Sequence, residues 1–276
     1  MELKKEFGEY TINSAEIKKG LELIPTFIPI IVVGGVAVQI YCKQYFPKDE
    51  KLLRVTNDTD FLPEYLGFIS KNSLVDIGNK FDIALYNQGF FNYHVSHSKN
   101  RGGYEIAMYD KSDNTSPVFF HLSTFSEGYW KKHYDEKKRE IENANIIKTK
   151  DYSVKVHNLE DLVVNKTKRL NFMDNQGLLD EEESQKLSEI RSGNIKIACL
   201  NFDPETKIEE FINLRRENYC EDSSEMQNKE YLTYLNNTKI LKDFYDLGMI
   251  GMIVEDNKEK FNIEYFLKSM KLLHNF

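Results

Sequence analysis

Two aspartates one residue apart, Asp58 and Asp60, lie in the segment RVTNDTDFL (residues 54–62) and could work as a pair. Alternating Thr and Asp predict a strand over these residues, ended by Pro63. Alternate residues of a strand face the same side, so the two carboxylates project together, about 7 Å apart along the backbone. Paired carboxylates suit Mg²⁺, which prefers hard oxygen ligands. Taken alone, the Asp-x-Asp pattern favours an exposed turn with two solvated acids.

A second candidate feature is the pair Gly34-Gly35, which follows the β-branched run IIVV (residues 30–33). The run predicts a buried strand, and the residues from Val36 toward Tyr45 predict a helix. Two glycines let a phosphate approach the backbone, and a helix start offers free N–H groups and a positive dipole end. A tight turn without a ligand is the more common meaning of such a pair.

Lys166 is the third candidate, in the segment NLEDLVVNKTKRL (residues 158–170). Asn158 is a good N-cap for a helix predicted from Leu159 to Leu170. That prediction places Lys166 in the last turns, where a lysine often complements the helix dipole. The alternative is an ammonium group directed at a triphosphate. In the first case Lys166→Ala costs little stability, and in the second it leaves folding nearly intact and weakens triphosphate binding.

Strands dominate the first part of the predicted chain and helices dominate the rest. Further strands are predicted over residues 91–98, 104–110, 118–124 and 152–156. Residues 133–145 are dense in charge and indicate a solvated connector or an exposed helix. Helices are predicted over residues 14–23, from Pro63 through about Gly89, and over 159–170, 181–192, 207–219, 230–247 and 263–273. The pattern predicts an α+β fold, with a mixed-sheet domain over residues 1–157 and a helical domain over 158–276.

Bulk composition narrows the function classes. The formal net charge is −7, which disfavours a protein that binds nucleic acid by overall charge alone. Three cysteines, Cys42, Cys199 and Cys220, are neither a disulfide framework nor a zinc ribbon. Their number and spacing fit a reducing cytoplasm.

One apolar stretch is almost long enough to cross a bilayer, from Leu23 to Cys42. Pro25, Pro29 and the glycine pair interrupt it, and some twenty mostly polar residues precede it, unlike a signal peptide. We therefore predict a strand, a glycine turn and a helix here, and no membrane partner.

In combination, these segments resemble the nucleotidyltransferase superfamily typified by DNA polymerase β. The likeness is greatest to the minimal nucleotidyltransferases and the AbiEii-type toxins of bacterial toxin–antitoxin and phage-defence systems. Those proteins show a Gly-Gly helix start, an Arg-x-Thr-x-Asp-x-Asp strand and a later Leu-x-Asp-Leu-x-x-x-Lys helix. The resemblance covers roughly residues 28 to 170 and implies a nucleotidyltransferase-like sheet domain.

The resemblance also implies roles for particular residues. Gly34 and Gly35 would hold the phosphates of a nucleoside triphosphate, and Asp58 and Asp60 would bind Mg²⁺ or Mn²⁺. Lys166 would contact the triphosphate, and Thr56 would assist on the same strand face as the aspartates. Phosphoryl chemistry asks mainly for positioning and charge neutralisation, which these residue types supply.

Several features depart from the family pattern. Many relatives carry Gly-Ser where this chain has Gly35-Val36, and the 22 residues between Gly35 and Asp58 exceed the usual spacing. The third carboxylate is ambiguous, with Glu105 the first choice and Asp110 the second. His121 stands where some relatives carry an acid, which leaves an altered metal site open.

The remaining candidates are weaker. His94 and His97 have an odd spacing, which puts them on opposite faces of a strand and argues against zinc. The pair Tyr129-Trp130 could stack on a base, but aromatic pairs more often close a core.

The leading hypothesis is an enzyme that transfers a nucleoside monophosphate from a nucleoside triphosphate to a hydroxyl on RNA, a protein or a small molecule. A cognate antitoxin is a further expected partner. The alternatives are a catalytically inactive fold that binds nucleotide or a partner protein, and an α+β domain whose motif match is accidental.

Overall fold

The protein is described by a computed structural model in two compact units. One unit comprises residues 1–44 and 53–158, and the other comprises residues 45–52 and 159–276. The division after Asn158 lies one residue from the boundary expected from the sequence. The structure describes residues 18, 21–22, 28–49, 53, 59–64, 70–100, 103–111, 121–123, 127–148, 153–217, 228–256 and 260–273.

The first unit contains a mixed sheet of seven described strands, in the order β3-β4-β5-β2-β1-β7-β6. β1 lies near the centre, antiparallel to β2 and parallel to β7. β5 is parallel to β2 and antiparallel to β4, while the β3–β4 and β6–β7 pairs are antiparallel. In chain order the strands are β1 (Ile30–Val33), β2 (Asp60–Pro63), β3 (Tyr93–Asn100), β4 (Gly103–Asp110), β5 (His121–Ser123), β6 (Asn145–Lys148) and β7 (Ser153–Val156).

Three helices belong to this sheet unit: α1 (Gly34–Tyr45), α2 (Lys71–Asn87) and α3 (Glu127–Glu142). Ser70 caps α2, because its hydroxyl accepts a hydrogen bond from the Ser73 N–H at 3.1 Å. The Leu23–Cys42 stretch thus contains a strand and a helix where it is described, as predicted.

The second unit is helical. Asp180 and Glu183 form a capping box at the start of its second helix, with each side chain bonded to the other residue's backbone N–H. The predicted α+β class, with a mixed sheet followed by helices, is confirmed. The helices are α4 (Leu159–Asn175), α5 (Glu181–Arg191), α6 (Pro204–Glu217), α7 (Asn228–Glu255) and α8 (Ile263–Leu273), with a 3₁₀ helix at Ile195–Cys199.

Helix α7 continues eight residues beyond its predicted end at Leu247. Glycines commonly mark a helix terminus, but here Gly248 and Gly251 lie inside the helix. A Cβ on Gly248 would meet the Phe202 ring at 2.7 Å, and one on Gly251 would lie 3.0 Å from the Cys199 nitrogen. Gly251 therefore allows close packing against the 3₁₀ helix and Gly248 against Phe202 just after it, and neither glycine ends α7.

Most other predicted elements agree with the structure to within about one helical turn. The helix predicted from Pro63 is an exception, because Pro63 ends β2 and α2 begins at Lys71, after the cap Ser70. The prediction for residues 133–145 is wrong in one respect, because Glu140 of α3 is fully buried. β6 was not predicted. The helix predicted at Ser14–Leu23 lies mostly outside the described residues, as does the strand at residues 54–58. No helix in the described ranges is both long and apolar enough to span a bilayer.

A buried polar cluster lies beside β7 in the sheet unit. His157 follows β7 directly, and its Nε2 is 3.7 Å from Oε2 of Glu140. The Lys137 ammonium donates to the same oxygen at 2.7 Å. Burial lowers the pKa of His157 to about 4, although the Glu140 carboxylate opposes that shift. Burial alone would raise the pKa of Glu140, but Lys137 and His157 hold it below its ordinary value.

We expect stability to fall as the pH drops from about 6.5 to 4. The unfolded chain protonates His157 in that window while the folded chain keeps it neutral, so the unfolded state binds more protons. The loss is on the order of 2–3 kcal/mol in unfolding free energy. The Glu140 carboxylate adds a further loss of stability at more acidic pH, because its pKa in the folded protein lies below its ordinary value. Urea denaturation at several pH values in this range measures how the free energy of unfolding depends on pH. His157→Gln should make that dependence weaker. An unchanged slope in the variant would contradict the assignment.

Candidate functional site

The glycine pair lies where the central strand β1 meets helix α1. The run Ile30–Val33 forms a largely buried strand, and α1 begins at Gly34 with no intervening loop. Gly34 has a φ of +68°, a conformation that costs other residues energy. The turn therefore requires glycine at position 34 and leaves the start of α1 at the end of β1.

Asp60 lies directly beside this turn. It is the first residue of β2 and pairs with Val33, the last residue of β1. A Cβ placed on Gly34 would lie 3.0 Å from Oδ2 of Asp60. The Asp60 side chain is 43% exposed, so its carboxylate is accessible to a ligand. Asp60 therefore lies next to the glycine turn.

His121 contacts Asp60 from the neighbouring strand. It opens β5 and pairs with Asp60 across parallel strands, and its backbone N–H donates to the Thr59 carbonyl at 2.7 Å. Nδ1 of His121 lies 3.3 Å from Oδ1 of Asp60. The two oxygens of Asp60 thus have different neighbours, with His121 near Oδ1 and the glycine turn near Oδ2.

Several predicted site residues are described in part or not at all. Asp58 and Thr56 lie outside the described residues, so their roles stay predictions. The backbone of Glu105 lies in β4 and pairs with Ser123, while Ala107 pairs with His121. That register puts the Glu105 backbone two strands and two residues from Asp60, roughly 12 Å away. Asp110 lies at the other end of β4 and pairs with Tyr93. The identity of a third carboxylate stays a prediction.

Lys166 belongs to the helical unit. Helix α4 extends to Asn175, so the predicted helix end at Leu170 is wrong and Lys166 lies near the middle of the helix. A lysine there cannot complement the helix C-terminus. Its ammonium lies 3.2 Å from Oδ1 of Asp243 and 2.5 Å from Oδ2 of Asp246, both on α7. All three side chains are buried.

Arg169, one turn further along α4, completes this cluster. It donates from Nε and Nη2 to the two oxygens of Asp243, with Nε 2.5 Å from Oδ2. Two cations and two carboxylates thus neutralise one another between α4 and α7. The sequence provides no local signal for this pairing, because 77 residues separate Lys166 from Asp243.

The acidic residues of the Leu-x-Asp-Leu segment also have partners within the helical unit. Asp161 is buried and accepts a hydrogen bond from the Tyr265 hydroxyl at 2.8 Å. Glu160 accepts one from the Asn262 backbone N–H, at the start of α8. These contacts link α4 to α8.

Among the side chains that the structure describes, no group of three or more histidines, cysteines, aspartates and glutamates is placed to hold a metal ion. Asp60 and His121 together supply two such side chains. Asp58 and the side chain of Glu105 lie outside the described part of the chain, so that statement does not extend to them.

Comparisons with known proteins leave the family open. No protein-family model and no curated protein matches the sequence. Among solved structures, the chain is similar to a protein from H. pylori titled a "putative nucleotidyltransferase", at 12% identity and a TM-score of 0.34. That similarity covers 90% of this chain and 100% of the other. At this score it carries no argument about function.

Proposed function

We propose that the protein is a metal-dependent nucleotidyltransferase that transfers a nucleoside monophosphate from a nucleoside triphosphate to a hydroxyl acceptor. The observation that carries the proposal is the position of the Asp60 carboxylate against the glycine start of α1. A helix start attracts phosphate, and an aspartate repels it. A divalent cation held by Asp60 would offset this repulsion, so the carboxylate and the helix start could both serve one phosphate ligand.

The described donors fit a divalent cation bound together with substrate phosphates. Asp60 supplies an accessible carboxylate, and Mg²⁺ is commonly held by one or two carboxylates plus phosphate oxygens. We assign Asp58 as the second carboxylate, because the strand alternation predicts it on the face of Asp60. Bound there, Mg²⁺ or Mn²⁺ would neutralise charge on the transferred phosphoryl group. Gly34 and Gly35 would bring the start of α1 to the phosphates.

The proposed acceptor is defined by its chemical group, a hydroxyl. An RNA end, a protein side chain and a small molecule all present a hydroxyl that can attack the α-phosphate, which forms a phosphodiester or phosphoester bond and releases pyrophosphate. The resemblance to AbiEii-type toxins supports a role in a toxin–antitoxin or phage-defence system, with an antitoxin as a partner.

A second candidate is a nucleotide-binding protein without transferase activity. It is favoured by the state of Lys166, whose ammonium is paired with two buried aspartates. The family pattern assigns that lysine to the triphosphate. A protein without a lysine–triphosphate contact could bind a nucleotide but fail to position its α-phosphate for attack by a hydroxyl.

Label transfer separates the two candidates. The protein is incubated with each α-³²P-labelled nucleoside triphosphate, cell extract, and Mg²⁺ or Mn²⁺. Nucleotidyl transfer leaves the α-phosphate on the acceptor, so label should appear in a macromolecular or small-molecule product. The same nucleotide labelled at the γ-phosphate should give no product, since γ-transfer would indicate a kinase. If the protein binds nucleotide but transfers no α-label, the second candidate is supported. If it shows no binding and no transfer, both candidates are contradicted.

Gly34→Ala should weaken both the fold and the site. The φ of +68° costs a residue with a Cβ about 1–2 kcal/mol, and the new methyl group would press on Asp60 at 3.0 Å. Gly177→Ala is the matched control, because Gly177 has the same φ and its new methyl group would meet no described atom within 4 Å. We expect both variants to lose stability in urea denaturation, and only Gly34→Ala to lose Mn²⁺-dependent thermal stabilisation. If Mn²⁺ raises the melting temperature of both variants equally, the cation does not bind next to the glycine turn.

A further inference from the structure

Asp60 and His121 form a side-chain contact whose two donor atoms are close enough to bind one ion together. Their strands are adjacent and parallel, and the two residues are register partners. Oδ1 of Asp60 and Nδ1 of His121 lie 3.3 Å apart. Both side chains are partly exposed, at 43% and 28%. A cation can therefore reach both atoms from solvent.

We propose that His121 is a metal ligand together with Asp60, and that it makes the site prefer a first-row transition-metal dication such as Mn²⁺ over Mg²⁺. The inference deepens the proposed function and rests on it, because it takes the cation site proposed above as its starting point. It assigns to this chain an imidazole ligand at a position where some relatives carry an acid.

The separation of the two donor atoms supports a shared ion. Ligands at about 2.1 Å from a metal lie roughly 3.0 Å apart when they subtend a right angle, and roughly 3.4 Å apart in a tetrahedral arrangement. The observed 3.3 Å falls between these values. The two strands therefore hold the donor atoms at a separation that one ion could bridge, once metal contacts replace the direct contact between the side chains.

The donor types decide the preference. Imidazole nitrogen is a poor ligand for Mg²⁺, which selects oxygen, and a good ligand for transition-metal dications. A site with one carboxylate and one imidazole retains enough oxygen character for Mn²⁺ once substrate phosphates complete the coordination. Replacing the acid of those relatives by His121 also leaves the site with one negative charge fewer, which weakens Mg²⁺ further.

Pulsed EPR of the protein with bound Mn²⁺ tests the inference directly. Wild type should show coupling of the Mn²⁺ electron spin to an imidazole nitrogen. His121→Ala and His121→Gln should lose that coupling and bind Mn²⁺ about 10- to 100-fold more weakly. Mg²⁺ affinity, measured by competition, should change less than threefold. The glutamine variant guards against misfolding, because it keeps a polar side chain next to Asp60.

His133→Gln is the matched control. His133 is a half-buried histidine on α3 whose Nδ1 lies 3.2 Å from Oε2 of Glu136, so it reproduces the histidine–carboxylate contact away from the glycine turn. It should leave the nitrogen coupling and both affinities unchanged.

Two results would overturn the inference: wild type without nitrogen coupling, or His121 variants that lose Mn²⁺ and Mg²⁺ binding equally. Failure of the proposed function looks different. Coupling that disappears in the His121 variants, with no α-label transfer by any of the proteins, would end the transferase proposal and leave His121 as a metal ligand. If wild type transfers α-label but shows no nitrogen coupling, the transferase proposal stands and His121 is not a metal ligand.

Discussion

Replacing Asp60 by asparagine is expected to lower nucleotidyl transfer by about 100- to 1000-fold. Metal-held phosphoryl charge is worth several kcal/mol in the transition state, and each 1.36 kcal/mol changes the rate about tenfold. Asparagine keeps the shape of the side chain and removes the charge that a cation requires. Single-turnover transfer of α-³²P label, at saturating nucleotide, measures the loss.

The same substitution should change stability by less than about 1 kcal/mol, because the side chain is 43% exposed and lies near a helix start. Asp76→Asn is the matched control in the same unit, since Asp76 is 62% exposed and forms an ion pair with Lys80 on α2. That control should transfer label at the wild-type rate. If the protein is a toxin, wild type should arrest growth on expression and Asp60→Asn should not. Activity of Asp60→Asn within threefold of wild type would remove Asp60 from the reaction.

The second large effect concerns stability. Lys166→Ala is expected to cost about 3–5 kcal/mol, because it removes the buried ammonium that contacts two buried aspartates, Asp243 and Asp246. Arg169 is half-exposed and contacts Asp243, so Asp246 loses its buried counter-charge. The urea midpoint of the helical unit, followed by circular dichroism, should shift accordingly.

Two further variants make this prediction specific. Lys168→Ala, on the same helix and partly exposed, should cost less than about 0.5 kcal/mol. The double variant Lys166→Met with Asp246→Asn removes a cation and an anion together and should recover much of the loss. A loss below about 1 kcal/mol for Lys166→Ala would mean that the ammonium is not buried against these carboxylates. Weakened triphosphate binding in a well-folded variant would return Lys166 to the predicted phosphate role.

The order of elements around the glycine turn could be predicted from the sequence. The β-branched run and the glycine pair are local signals, and the strand–glycine–helix unit follows from them. The sequence predicts Asp60 near the end of a strand over residues 54–62, whereas in the described residues it opens β2, and antiparallel pairing with β1 brings it to Gly34. Helix α8 was predicted with its observed bounds, Ile263–Leu273, because its apolar residues recur at helical spacing.

Tertiary packing decided the rest. Glu140 lies in a charged segment that predicts a solvated surface, but packing buries it against His157 and Lys137. Gly248 and Gly251 look like a helix end in the sequence, yet α7 passes through them because neighbouring atoms leave no room for a side chain. For Glu140 the distant neighbour is His157, which follows β7, and for the two glycines the neighbours are Phe202 and Cys199.

For the site, the sequence by itself determined the residue types and the start of helix α1 at the glycine pair. Only the tertiary structure paired His121 with Asp60, since β2 and β5 are parallel and 61 residues separate the two side chains. It also placed Lys166 among buried aspartates of a helix 77 residues away. Local propensity and spacing act over a few residues, whereas the partners of a charged side chain depend on which elements pack together.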